Sequence, residues 1–372
     1  MQGDGSFEIK LAYHFDDEDT LKAHRGAYSI AFQGAMVIDE KLLEILRCPE
    51  TGSLLTLEGA VLINAEGSQR YGVVDGIPLL ISSSLDSTHA GYQKIVEENK
   101  IEAIAEHISD AKLERFLNEM ILSTCGNLFN GVELKGDYPL GEFPKFESGM
   151  ILDLGCNWGR WAIAGAMSDQ RVIGVDIHLK SLRCAKALAH KICPENMPHF
   201  VLADARRMPF AEEAISGVFS YSVVQHLSKT NAGIVLTELS RVMRPGAKSI
   251  IQMPNRRGVY ATLKRIRSGV KDDEFDVRYY EISEMLELFT SRIGSSSWCV
   301  DCFIGLNVHA RDMRFVPWAK RWIVVLNELI LCLSRYVRPL AHCADSIYLH
   351  SQKPAQSRTS IPDQKRRPTG MT

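Results

Sequence analysis

Three carboxylates stand at the ends of short apolar runs in the middle of this 372-residue chain. Asp153 lies in Met150-Ile151-Leu152-Asp153-Leu154, Asp176 closes Val172-Ile173-Gly174-Val175, and Asp204 follows Val201-Leu202-Ala203. The first run opens into Gly155-Cys156-Asn157-Trp158-Gly159, and a helical pattern follows from Trp161. A strand-end acid can accept hydrogen bonds from hydroxyl or amino groups. A glycine-bounded turn into a helix start lets a nucleotide-like ligand approach bare backbone. A dinucleotide fingerprint needs glycine where Asn157 and Arg160 stand, so that ligand class is disfavoured. Further on, His226 has an imidazole that titrates near neutrality and can take a proton from a hydroxyl.

The elements that must hold these residues alternate strand and helix. Strands read at 150–154, 171–175, 199–203, 217–222 and 247–253, with helices at 179–192 and 230–243 between them. Such alternation is the sequence form of a parallel sheet covered by helices on both faces. Beyond it come a helix near 281–290, a strand near 298–304, an apolar helix near 317–336 and a last strand at 346–350.

In front lies a small β-rich module: a short helix, then strands at 54–57, 60–63, 71–74 and 77–81, separated by Glu58-Gly59, Glu66-Gly67 and Asp75-Gly76. The division expected is a poorly ordered leader (1–35), this module (36–84), a helical linker or cap (85–149), the α/β domain (150–352, core 150–255) and a disordered tail (353–372). Helical signal in the linker runs through 92–122 and could wall the site at Asp153. Met36 is a candidate translation start.

Composition bounds the partners. With 45% apolar and 24% charged residues the chain reads as globular. Its net charge of -2, with no aromatic–basic stripe, argues against nucleic acid as the partner. Nine scattered cysteines and the lack of a secretory pattern at the start point to the cytoplasm. Cys299-x-x-Cys302 is not read as a metal site, because residues three apart on a strand face opposite ways.

The pattern Asp153-x-Gly155-x-x-x-Gly159 resembles the first motif of class I S-adenosylmethionine-dependent methyltransferases, with Asn157 at a position often glycine. Four further segments match in order: Val175-Asp176, Ala203 to Phe210, Phe219 to Leu227, and Arg241 to Asn255. The likeness is nearest to the methyltransferase type 11 group. It implies a seven-stranded Rossmann-like sheet, mostly parallel with the last strand antiparallel, and S-adenosylmethionine as cofactor. By that resemblance Asp153, Gly155, Cys156, Asn157 and Gly159 form the methionine-side pocket, Asp176 and Ile177 the ribose site, and Asp204 and Ala205 the adenine site. Ser222 is a further cofactor-binding residue, Tyr221 to His226 form the wall where the acceptor approaches, and His226 is the candidate base.

The front module resembles the small zinc-ribbon-like family whose eukaryotic members activate methyltransferases, at Cys48-Pro49 and Tyr71 to Leu80. Thr51 replaces that family's second metal cysteine, and one thiolate cannot make a tetrahedral zinc site, so no metal is expected.

The function expected is methyl transfer to a small molecule, most simply a hydroxyl on a sugar, lipid-linked glycan or secondary metabolite. Nothing resembles the Asn-Pro-Pro-Tyr signature of amino-group methylators. An RNA methyltransferase and a non-catalytic cofactor-binding or activator protein are the alternatives. The basic cluster within 256–271 and the apolar helix in 317–336 are candidate contacts for a membrane surface or a lipid-linked substrate.

Overall fold

The structure is a computed structural model, and it describes residues 38–85, 90–104, 109–124, 129, 134, 136–268, 277–304 and 309–355. The leader, Met36, most of the basic tail and the stretch around Lys271 lie outside the described residues.

The chain opens with helix α1 (Glu40–Ile45), whose N-cap Asp39 accepts the amides of Lys41 and Leu42. Strands β1 (Leu55–Glu58), β2 (Val61–Asn64), β3 (Arg70–Val74) and β4 (Ile77–Pro78) then form an antiparallel sheet in that order. Val74 pairs with Ile77 around a two-residue turn. Asp75 and Gly76 there take φ of 50° and 69°, the left-handed pair that such a hairpin demands. Cys48 is buried against Tyr71, its sulfur 3.2 Å from the phenol oxygen.

The linker forms two helices, α2 (Ala90–Ile104) and α3 (Asp110–Thr124), where the sequence pattern suggested one run. The break has a local cause. The Ser109 hydroxyl accepts the Lys112 amide and its carbonyl accepts the Leu113 amide, so a new helix starts there.

The large sheet contains β5 (Met150–Leu154), β6 (Arg171–Asp176), β7 (His199–Leu202), β8 (Ile215–Ser220), β9 (Met243–Pro254), β10 (Ser295–Cys302) and β11 (Ser346–Gln352). Its order is β10-β11-β9-β8-β5-β6-β7. Only β11 runs against the rest: it pairs antiparallel with both β9 and β10. The architecture is therefore a seven-stranded, mostly parallel sheet with an antiparallel last strand. β5 is buried along its whole length, as a central strand covered on both faces must be. Helices α4 (Arg160–Met167), α5 (Leu179–Ile192) and α6 (Lys229–Val242) alternate with strands as expected, and α7 (Val259–Ser268) and α8 (Ile282–Arg292) lie between β9 and β10.

The front module closes the β7 edge. Leu79 bridges Leu202 in parallel, and the Leu80 amide donates to the Leu202 carbonyl at 2.8 Å. On the other side, the Arg47 amide reaches Pro209 O at 2.9 Å and the Ala211 amide reaches Ile45 O at 2.8 Å. Leu42, Leu46, Leu62 and Leu80 join the same apolar cluster as Leu152, Val201 and Phe210. The loop that carries Asp204 is thus gripped at both ends by the front module, which also covers an otherwise open sheet edge.

Candidate active site

The turn after β5 is held to β6 by backbone bonds. Both the Gly155 and Cys156 amides donate to the Val175 carbonyl, at 2.7 and 3.0 Å. Gly155 and Gly159 take φ of +70° and +81°. A Cβ on Gly155 would stand 2.2 Å from the Val223 side chain, so this glycine makes room for a neighbouring loop as well as for a ligand. Asn157 adopts φ of 47°, a conformation asparagine tolerates better than most residues, which explains how it replaces glycine. Its amide donates to Asp176 Oδ2 at 2.9 Å. Trp158 and Trp161 are core residues, 1% and 5% exposed; Trp161 packs on Phe219 and Tyr221.

Asp153 is buried at the end of β5, and its Oδ2 has no hydrogen-bond partner. Burial pushes its carboxyl up to about 8, against the opposing bond from the Ala162 amide. Asp176 accepts the His178 amide on its other oxygen, at 3.0 Å. Burial raises this carboxyl too, although the amides of Asn157 and His178 favour its charged form. Ile177 and Leu179 are clamped by Asn99 of α2. Its amide nitrogen donates to Ile177 O and its oxygen accepts Leu179 N, both at 2.7 Å. Helix α2 is therefore tied to the turn after β6, and Asn99 is a residue that sequence reasoning missed.

Asp204 and Ala205 sit in the gripped loop beyond β7. The Asp204 carboxylate is held in a fork by Arg206, with Nε 3.0 Å from Oδ1 and Nη2 2.7 Å from Oδ2. Any bond from Asp204 to a bound adenine must share that carboxylate with the guanidinium.

Past β8 the structure brings together residues far apart in the chain. Ser222, at φ 63°, donates its amide to Gln252 Oε1 at 2.8 Å. Gln252 Nε2 donates to the Ser346 hydroxyl at 2.7 Å, which donates to Asp301 Oδ2 at 2.6 Å. The Tyr221 hydroxyl donates to the same oxygen at 2.8 Å. Nε2 of His309 stands 3.2 Å from Asp301 Oδ1, at ion-pair distance though outside hydrogen-bond alignment. Burial pushes the Asp301 carboxyl up, but His309 and the two hydroxyls outweigh it and hold the group below its ordinary range. All these strand ends share the carboxyl edge of the parallel sheet, where ligands bind in such folds.

His226 lies in the short 3-10 turn after β8. Its Nε2 is 3.3 Å from Gln225 Nε2, and its carbonyl accepts Arg278 Nη1 at 2.9 Å. The Asp301–His309 pair was not singled out from the sequence; a lone acid near the apolar end of a strand was the available signal. The segment after His309 also closes over the first motif. Asp312 meets Arg160 at 2.8 Å with both side chains buried, and Arg311 stacks over Trp161.

Residues 151–246 match the family model described as a methyltransferase domain. These residues are a methyltransferase domain. A 102-residue stretch, 27% of this chain, is 26% identical to the O-methyltransferase rstn1 of Aspergillus nomiae and covers 44% of that protein. The chain therefore spans less than half of that relative's length. A 50-residue stretch is 40% identical to the UPF0434 protein BH12860 of Bartonella henselae, covering 13% of this chain and 77% of that protein, so the chain also includes a UPF0434-family module. Among solved structures, phosphoethanolamine N-methyltransferase 2 of Haemonchus contortus with S-adenosyl-L-methionine is 16% identical, with 74% of this chain and 62% of that one covered at a TM-score of 0.42. The YcgJ protein of Bacillus subtilis is 18% identical, with 56% and 92% covered at a TM-score of 0.38.

The methyltransferase domain's own residues suit its cofactor. S-adenosylmethionine carries cationic groups at its methionine end and hydroxyls on its ribose. The partnerless Asp153 oxygen is a buried acceptor that a cation would restore to its charged form. Asp176 is a half-buried carboxylate that can accept hydroxyls.

Proposed function

We propose that this chain transfers a methyl group from S-adenosylmethionine to a hydroxyl of a small-molecule acceptor. The observation that carries this reading is the Asp301–His309 pair beside Tyr221, at the sheet edge that also bears Asp153, Asp176 and Asp204. The cofactor, when bound, supplies an already activated methyl group, so the protein's task is alignment and removal of one proton. A hydroxyl needs such a proton acceptor as it is methylated. An imidazole backed by a buried carboxylate is suited to take it, since Asp301 stabilises the imidazolium that forms.

His226 is the second candidate for that role. Asp153, Gly155, Cys156, Asn157 and Gly159 are assigned to the methionine end, Asp176 and Ile177 to ribose, Asp204 and Ala205 to adenine, and Ser222 to the cofactor beside the acceptor wall.

Calorimetry with S-adenosylmethionine and a labelled-methyl transfer assay on hydroxylated acceptors test the proposal. Binding with transfer to oxygen is expected. No binding overturns it, transfer to RNA favours the nucleic-acid alternative, and binding without any transfer favours a cofactor-holding activator.

A further inference from the structure

Among the described residues no helix is long and apolar enough to cross a membrane. Helix α9 (Arg321–Ser334) nevertheless presents an apolar stripe to solvent. Trp318, Trp322, Leu326, Leu329, Leu333 and Tyr336 follow one another at intervals of three or four, the spacing of one helical face. All six are exposed, Trp318 by 85%, Leu329 by 63% and Tyr336 by 83%. The opposite face is buried through Val324, Asn327 and Ser334. Asn327 fixes that orientation by accepting the Phe303 amide at 2.9 Å. The apolar stripe therefore points outward because the buried side is already committed.

Charge surrounds this stripe asymmetrically. Lys320 and Arg321 lie near its start and Arg335 and Arg338 near its end, while Glu328 is the one acid in the sequence from 318 to 342. That acid is turned to the protein, where its carboxylate accepts the Ala310 amide at 3.0 Å.

We propose that this face docks on the surface of an anionic phospholipid bilayer, with α9 lying in the interface. Tryptophan and tyrosine at the two ends, aliphatic residues between them and cations at both ends suit the headgroup boundary. A second copy of this chain fits less well. Both ends of the helix are basic, so parallel and antiparallel pairings alike bring cations together. At about 1.5 Å per residue the helix is also too short for a core of roughly 30 Å, so it lies on the bilayer rather than through it. Through Glu328 and Ala310, the docked helix is tied to the segment that carries His309. On the reading of a hydroxyl methyltransferase this brings the acceptor side near the lipid and selects a lipid-borne hydroxyl as substrate class. That last step rests on the proposed function, whereas docking does not.

Vesicle sedimentation of the full chain tests the docking. Phosphatidylcholine vesicles are compared with vesicles in which roughly a third of the lipid is phosphatidylglycerol. Binding to the anionic vesicles is expected to be about tenfold or more stronger, to weaken with salt and to shift tryptophan emission to the blue. Leu329→Glu is expected to abolish it with an unchanged thermal midpoint, and R335E/R338E to remove the anionic preference. Failure of the wild-type chain to bind anionic vesicles overturns the proposal, as does wild-type binding by Leu329→Glu. A solution dimer that Leu329→Glu dissociates overturns it too, by giving the face to a second copy. Methyl transfer to soluble acceptors is measured separately, so that loss of docking and loss of activity are told apart.

Discussion

Nε2 of His309 faces Oδ1 of Asp301 at 3.2 Å, while the other oxygen of that carboxylate accepts the hydroxyls of Tyr221 and Ser346. The carboxylate is fully buried and stays charged, so the imidazole has a fixed anion behind it. His309→Ala is expected to lower kcat on the order of 100-fold, with KM for the cofactor changed by no more than about twofold. Wild-type kcat in this variant, measured by steady-state kinetics, would return the base role to His226.

Asp153 makes stability depend on pH. Its folded pKa, about 8, lies above the ordinary carboxylate value, so between those two values the folded chain holds a proton that the unfolded chain releases. This group's contribution is therefore greatest at low pH and is lost as pH rises toward 8. Asp153→Asn should remove that slope. Its advantage over wild type in denaturant melts without cofactor is expected to grow from pH 5 to 8 by about 1 kcal/mol per pH unit. The same variant should bind S-adenosylmethionine poorly, because a neutral amide cannot answer a cation. An advantage that stays flat with pH would mean Asp153 is ionised throughout.

Gly155 is constrained twice, by φ of +70° and by the Val223 side chain. Gly155→Ala is expected to destabilise the fold by about 1–3 kcal/mol and to weaken cofactor binding. Adding Val223→Ala relieves the contact but not the backbone strain, so only part of the loss should return. A double-mutant cycle in denaturant measures this coupling directly.

Arg160 and Asp312 lie 152 positions apart and meet at 2.8 Å, with side chains 5% and 2% exposed. Removing one member of a buried pair leaves the other's charge poorly compensated. Asp312→Ala is expected to cost about 3–5 kcal/mol in equilibrium unfolding and to speed hydrogen exchange across 309–316. A loss below about 1 kcal/mol would show that Arg160 is held by its other contacts.

What the chain determines locally was legible without a structure. Helix α5 falls on 179–192 as its apolar period indicated, and the Asp75-Gly76 turn follows from two residues that accept positive φ. The strand–helix alternation ordered Asp153, Asp176 and Asp204 along one sheet edge, because parallel strands must all end on the same side. These outcomes depend on neighbours within a few residues, and such short-range preferences are written in the residue types themselves. The single helical run read over 92–122 failed at Ser109, where a side-chain cap competes with helix continuation.

Only the tertiary structure decided which distant groups meet. Asp301 reaches Tyr221 across 80 positions, and Asn99 reaches Ile177 across 78. Val223, rather than a ligand alone, stands where a Gly155 Cβ would be. The first contact follows from how β10 and β11 extend the sheet beyond β9, and the second from how α2 lies against the turn after β6. A buried charge is stabilised by partners within a few ångströms in space, and distance along the chain does not say which partners those will be.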